Sequence, residues 1–485
     1  MKVFQILFAV LAFIDVAAAQ PALQWARCYG GPGSEIAYSV DEAWDDGFVI
    51  AGIGSCQNGN GDFWVVKTDD NGNEVWQQCY GGSDVDIAYA IKKVRGENNN
   101  NGYIIVGITH SNDGDVTGLQ GLSDIWVVRI DMSGNLVWQK SLGGSLQETG
   151  HSVQQTQDGG FIIAGRTLSN DGDVSGNHGA GTMDMWVVKL TSNGDIMWQK
   201  ALGGSVHELA YSIDLTPDGG YIVAGKASSQ DGDVSTLIGM EDYWIVKLDH
   251  QGDLQWEKSY GGNTNDYAYS VATTADSGYI VSGVGYYSPA PNTYHTILKL
   301  DKLGNYQWSA DSNSCTIQAS DGGYISVNAF GMYSASDFVV KRMDSTGSVA
   351  WSKTMGGSNT DVAHAVVQAS DGGYVIAGTT KSNDGDVTGN HGGGDYWLVK
   401  LAPEPTGVQT PEMTPDIRLY PNPVTDRVNF STTVNARVHD ITGSLLLDRQ
   451  QVNSVDMSAY ASGVYFVLCY DDHGQIIYKA KVVKE

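Results

Sequence analysis

Apolar and polar positions alternate in short runs along most of this chain, and residues 151–204 show the arrangement most plainly. There HSVQQT, FIIAGRT, MWVVKLT and IMWQKAL are rich in β-branched and aromatic residues, separated by DGG, a long polar loop and SNGD. Runs of this length and composition predict strands. Asp158-Gly159-Gly160 and Asn193-Gly194 supply the positive φ of tight hairpins, so the segment predicts four consecutive strands of one antiparallel sheet.

Variants of this unit recur about every 43–62 residues, the spacing of solenoids and propellers. A glycine turn precedes the second strand at Asp45–Gly47, Asn101-Gly102, Asp158–Gly160, Asp218–Gly220, Asp276–Gly278, Asp321–Gly323 and Asp371–Gly373. A fourth-strand tryptophan stands at Trp25, Trp76, Trp138, Trp198, Trp256, Trp308 and Trp351. Between them the third strand carries Asp62/Trp64, Asp124/Trp126, Asp184/Trp186, Asp242/Trp244, Asp337/Phe338 and Asp395/Trp397; the fifth copy has Thr296 in place of the aromatic. Two interleaved signals, each occurring seven times, predict seven units.

Strands that are apolar on both faces cannot stand alone in water, so the units must stack face to face. The two ends say how. The chain begins with a lone fourth strand around Trp25, and its last copy stops after the third strand at 395–402. The fold class that follows is all-β: a seven-bladed β-propeller of four-stranded antiparallel blades over 20–402, closed by the N-terminal strand beside Trp397. The glycine-rich second strand and tryptophan-bearing fourth strand resemble those of kelch-type and related bacterial propellers, which implies architecture only.

Outside the repeats, residues 1–19 combine Lys2, an apolar run and small residues at Ala17 and Ala19, the pattern of a secretory signal peptide cleaved near Ala19. Residues 403–416 are rich in proline and threonine and read as an extended linker. Short alternating strands over 417–485 then predict a small C-terminal β-sandwich. Within it, Tyr420-Pro421-Asn422-Pro423 with Asp426, Asp440-Ile441-Thr442-Gly443, Ser462-Gly463-Val464-Tyr465 and the basic Lys479, Lys481 and Lys484 resemble the type A C-terminal sorting domain of the type IX secretion system of Bacteroidota. That resemblance implies the secretion machinery as a partner and a secreted or outer-membrane surface location. It implies nothing about what the propeller binds.

A formal net charge of −27 disfavours nucleic acid and anionic membranes as partners, and no later stretch is apolar enough to predict a transmembrane segment. The same acidity also serves solubility. Cys28, Cys56, Cys79, Cys315 and Cys469 make an odd set, which predicts mostly free, buried thiols and leaves a bridge from Cys56 open.

Three groups of residues could carry chemistry. Glu35, Asp86, Glu148, Glu208, Asp266 and Asp361 stand three places before the aromatic of the inner strand, where they would ring one mouth of the channel. Such a ring either recruits a cation or, as recurrence in nearly every copy favours, accepts backbone N–H groups that lock blade to blade. The inner-strand Tyr38, Tyr89, His151, Tyr211, Tyr269 and His364, with Ser314 in the sixth copy, read as packing between blades. Asp113/Asp115, Asp171/Asp173, Asp231/Asp233 and Asp384/Asp386 in S-[NQ]-D-G-D-V loops offer oxygens that Ca2+ accepts, although an Asx turn explains them more simply. Repetition breaks in blades five and six, where Tyr286, Tyr287, Tyr294, His295, Met332 and Tyr333 cluster on loops suited to a glycan or protein ligand. The function expected is a ligand- or protein-binding module. The alternatives are a glycan-active enzyme, for which unrepeated acids such as Glu241 beside Asp242 are few, and a structural surface protein.

Overall fold

In the computed structural model, residues 20–56, 60–96, 100–179, 181–285, 297–310, 315–327, 337–404, 417, 419–441, 444–470 and 476–485 are described. The chain divides into two compact units, Met1–Glu404 and Pro405–Glu485. The expected signal peptide and most of the expected linker lie outside the described residues.

In the first unit the strands pair as their patterns require. Glu148–Gln155, Phe161–Thr167, Asp184–Leu190 and Ile196–Leu202 form one antiparallel sheet in that order, and six more four-stranded sheets complete the set of seven. The last sheet joins both ends of the repeat region. Asp361–Gln368, Tyr374–Thr380 and Asp395–Leu401 are completed by Leu23–Tyr29, with Trp25 opposite Lys400 and Cys28 opposite Trp397. The array is therefore a closed seven-bladed propeller.

Burial explains why the middle strands read as nearly continuous apolar runs. Asp184–Leu190 is buried at every position and Phe161–Thr167 at all but Arg166, whereas the outer Ile196–Leu202 is fully buried only at Leu202. The blades interlock through tilted aromatic pairs: Phe63 on Trp126 at 4.5 Å, Trp64 on Tyr396 at 4.4 Å and Phe338 on Trp397 at 4.3 Å between centroids.

Two further devices repeat. Six of the seven outer tryptophans, all but Trp351, lie against the hairpin glycine of the next blade, so that a Cβ on Gly72 would fall 2.8 Å from the Trp25 ring and one on Gly194 2.9 Å from Trp138. Those glycines have φ of 74° and 83°, so the turn demands glycine both for its backbone and for the ring pressed on it. At the DGG turn, a third-strand lysine that is almost wholly buried reaches the turn aspartate: Lys67 to Asp45 at 2.7 Å, Lys189 to Asp158 at 2.9 Å, Lys247 to Asp218 at 3.0 Å. Burial opposes the charge on Asp158, but hydrogen bonds from Thr156 and Lys189 hold its pKa at about 2. Arginine replaces the lysine in two blades, with Arg342 meeting Asp321 and Arg129 donating to the Asn100 carbonyl where no DGG aspartate exists.

The bridge left open at Cys56 forms, and of the three free thiols only Cys469 is fully buried, Cys28 and Cys315 being half-buried. Cys56 and Cys79 form a disulfide with Cα atoms 6.2 Å apart, tying the second-to-third-strand loop of blade one to its own outer strand. Cys28, Cys315 and Cys469 are free.

The second unit comprises Leu419–Tyr420, Arg427–His439, Leu445–Asp456, Gly463–Tyr470 and Ile476–Lys484. The long Arg427–His439 pairs with Leu445–Asp456 on one side and Gly463–Tyr470 on the other, enclosing Val428, Phe430, Val438, Val467 and Val482. Asn422 of the Tyr-Pro-Asn-Pro motif fastens the last strand, donating to the Lys481 carbonyl at 2.7 Å and accepting from the Val483 N–H at 2.9 Å. Tyr465 donates its hydroxyl to the Ala461 carbonyl at 2.7 Å. Gly443 lies outside the described residues.

Because both ends build the last blade, a chain that starts at Gly31 should melt several degrees lower than one that starts at Gln20, and a synthetic peptide of residues 20–30 should restore part of the loss in calorimetry.

Candidate functional site

The axis of the propeller is lined by residues that the backbone aims there. In six inner strands the register slips by one residue, at Tyr38, Tyr89, His151, Tyr211, Tyr269 and His364, each the extra residue of a bulge. A bulge turns a side chain out of the ladder. These side chains meet one another around the axis, tilted in Tyr38–Tyr89 and His151–Tyr211 (centroids 5.2 and 5.4 Å apart) and edge to face in Tyr89–His151 and Tyr211–Tyr269 (5.3 and 4.9 Å). His364 closes on Tyr38 at 5.2 Å. The position of Ser314 lies outside the described residues. Burial lowers the pKa of His151 to about 4, and its Nδ1–H donates to the Ala210 carbonyl at 2.8 Å, so this imidazole is neutral at pH 7. Burial also pushes the Tyr38 phenol up to about 12.

The six acids lie not in the open mouth but between blades, with exposures of 0–2%. Each accepts the N–H of the second glycine of the preceding turn: Gly31 to Glu35 at 3.2 Å, Gly82 to Asp86 at 2.9 Å, Gly144 to Glu148 at 2.9 Å, Gly204 to Glu208 at 2.8 Å, Gly262 to Asp266 at 2.7 Å and Gly357 to Asp361 at 2.8 Å. Beside each stands the third-strand aspartate of the preceding blade. A Cβ on Gly143 would lie 2.6 Å from both Asp124 Oδ1 and Glu148 Oε2, and one on Gly81 would lie 2.5 Å from Asp62 Oδ1 and 2.7 Å from Asp86 Oδ2. Burial, and then the neighbouring carboxylates Asp86 and Asp115, push Asp62 up to about 6; burial with Glu148 and Asp173 nearby does the same for Asp124.

The aspartates of the DGD loops reach the same turns from above. Asp113, Asp171, Asp231 and Asp384 each accept a serine N–H at 2.7 Å, from Ser83, Ser145, Ser205 and Ser358. Asp115, Asp173, Asp233 and Asp386 accept the N–H of the first glycine, at 3.3, 3.2, 3.1 and 3.2 Å. Every such bond crosses from one blade to the one before it. Among the described residues no three of His, Cys, Asp and Glu stand close enough to hold a metal ion. In blades three and seven the loops also bring an imidazole to the third-strand aspartate, His178 to Asp184 at 2.6 Å and His391 to Asp395 at 2.7 Å. Burial opposes the charge on His178, but the hydrogen bond to Asp184 and the carboxylates around it raise its pKa above the ordinary value.

Glu241 pairs with Lys226 and accepts the Tyr267 hydroxyl. Tyr286, Tyr287, Tyr294, His295, Met332 and Tyr333 lie outside the described residues. Two features escaped the reading of the repeats. The buried lysines were detectable as a basic residue recurring in the third strand, and the short loop of blade one as a missing DGD.

The chain is thus an all-β propeller followed by a separate domain, and residues 418–485 match the family described as the secretion system C-terminal sorting domain. That domain implies a secreted or cell-surface protein in a Bacteroidota-type bacterium. A stretch of 159 residues is 25% identical to the regulatory protein FlaEY of Caulobacter vibrioides; it spans 31% of this chain and 17% of that protein. Among solved structures, the Pan2 WD40 domain of Neurospora crassa is similar at 11% identity and a TM-score of 0.48, covering 79% of this chain and 96% of that one. PorZ, a surface component of the type IX secretion system of Porphyromonas gingivalis, is similar at 12% identity and a TM-score of 0.40, covering 94% of this chain and 60% of that one.

The raised carboxyls make a signed prediction. A carboxyl whose folded pKa is about 6 against 3.8 contributes stability that is complete below pH 3.8 and is lost as the pH rises through 6. Asp124→Asn removes that loss: the variant should exceed the parent in urea denaturation at pH 8 by on the order of 1–3 kcal/mol and match it at pH 4.

Proposed function

We propose that this protein is a secreted or surface-displayed β-propeller that works as a ligand- or protein-binding module, carried out of the cell by its sorting domain. One observation supports the reading above others: the polar groups that recur from blade to blade are engaged in holding blades together. The acids accept turn N–H groups, the DGD aspartates clamp neighbouring blades, and the buried lysines brace the DGG turns. Recognition then falls to whatever differs between copies. The stretches 286–295 and 332–333, rich in tyrosine and lacking the DGD sequence, are one such place in the sequence, and aromatic residues are common contact residues for glycans and proteins.

The test has two parts. Deleting residues 418–485 should leave the protein inside the cell envelope in fractionation, while the full chain reaches the surface or the medium. The exported protein, screened on a glycan array and against surface proteins, should bind without converting what it binds. Turnover of a bound glycan would replace this reading with an enzymatic one, and an absence of any binding would favour a purely structural surface protein.

A further inference from the structure

Blade one breaks the repeat in a way that leaves a carboxylate without a partner among the described residues. In the blades with long second-to-third-strand loops, the loop returns to the third-strand aspartate and donates main-chain N–H groups to it. Gln120 donates to Asp124 at 2.9 Å, His178 to Asp184 at 3.0 Å and His391 to Asp395 at 3.1 Å. In blade four two successive N–H groups, of Ile238 and Gly239, converge on Asp242. Blade one has no DGD sequence, and its loop between Gly54 and Asp62 is shorter than the others. Asp62 is only 4% exposed. Its Oδ1 is buried without a partner, as are those of Asp124, Asp184 and Asp395; what sets Asp62 apart is that, among the described residues, its Oδ2 receives no loop N–H either. The turn below is adapted to the missing loop. Pro32 occupies the position of Ser83, Ser145, Ser205 and Ser358, so the N–H that a DGD aspartate would accept is absent.

Where the long loop sits in other blades, a cavity of about 580 Å3 opens here. Glu35, Asp62 and Asp115 line it, together with Ser55, Gln77 and the edge of Trp64, whose indole N–H donates to Gln77 Oε1 at 2.9 Å. Its volume is that of a small-ligand site. The Cys56–Cys79 disulfide forms part of its wall. An uncompensated buried carboxylate among other acids calls for a cation that also donates hydrogen bonds.

We propose that this slot binds a guanidinium group, the side chain of an arginine in an extended peptide, with Asp62 Oδ2 accepting its N–H groups. Two guanidinium N–H groups on one oxygen reproduce what Ile238 and Gly239 present to Asp242 Oδ2 in blade four, and add the charge that the surrounding acids favour. The loops of blades three and seven offer a parallel, since each places a basic imidazole on the same aspartate.

The proposal rests on the binding-module reading but fails separately from it. Isothermal titration of the full chain with acetyl-Gly-Arg-Gly-amide should give a single site, and the citrulline peptide, equal in shape and uncharged, should bind at least tenfold more weakly, a difference of about 1.4 kcal/mol. Asp62→Asn should lose a similar factor while melting no lower than the parent, because an uncompensated carboxylate has been neutralised. Equal affinity for the arginine and citrulline peptides, undiminished binding by the variant, or no binding of the arginine peptide at millimolar concentration would each overturn the proposal. A glycan or protein bound elsewhere alongside that failure would leave the broader reading standing. The citrulline comparison uses the parent chain, so it decides the matter even if the variant does not fold.

Discussion

Everything in the propeller depends on middle strands that are apolar on both faces. A sheet such as Phe161–Thr167 with Asp184–Leu190 has no side it can offer to water, so it needs a neighbour on each face, and so does the neighbour. A ring is the arrangement in which that need ends. The aromatic contacts between blades, including Trp64 on Tyr396 across the seam between the last blade and the first, are the visible form of the constraint.

Once the ring is set, its polar chemistry follows from what dense interblade packing leaves unsatisfied. The glycine pair after each outer strand brings main-chain N–H groups into a space too tight for a Cβ, and carboxylates are the acceptors short enough to reach them. Packing a second carboxylate against the first raises the energy of the charged pair, and the loops return N–H groups to offset it. Acid, glycine turn and loop therefore belong to one device, repeated with small changes around the circle. The axis shows the same economy: in six of the inner strands one bulge aims one large side chain inward, and the rings then support each other.

Much of this could be read from residues alone because repetition announces it. The positions of Trp25 and Trp397 implied the joined blade, since a missing strand at one end matched a spare at the other. The sorting domain was legible from Tyr420–Pro423 and Ser462–Tyr465 because those residues have local duties, as Asn422 on the last strand shows. The Cys56–Cys79 bridge was not legible. It joins a loop to an outer strand with no counterpart in other copies, and only the folded blade brings the two together. The isolation of Asp62 was hidden for the opposite reason: its sequence signature is that of its partnered equivalents, and what distinguishes it is the absence of residues that stand elsewhere in the repeat.

The shared last blade also governs how the molecule comes into being. Residues 23–29 must wait for 395–401, so a nascent chain exposes an unpaired edge and an uncovered first face until nearly the entire repeat array has been made. Independent maturation of the early sheets is thereby ruled out as an end state. A prematurely terminated product betrays itself by its open seam, which gives proteases and chaperones a simple criterion for telling finished molecules from fragments.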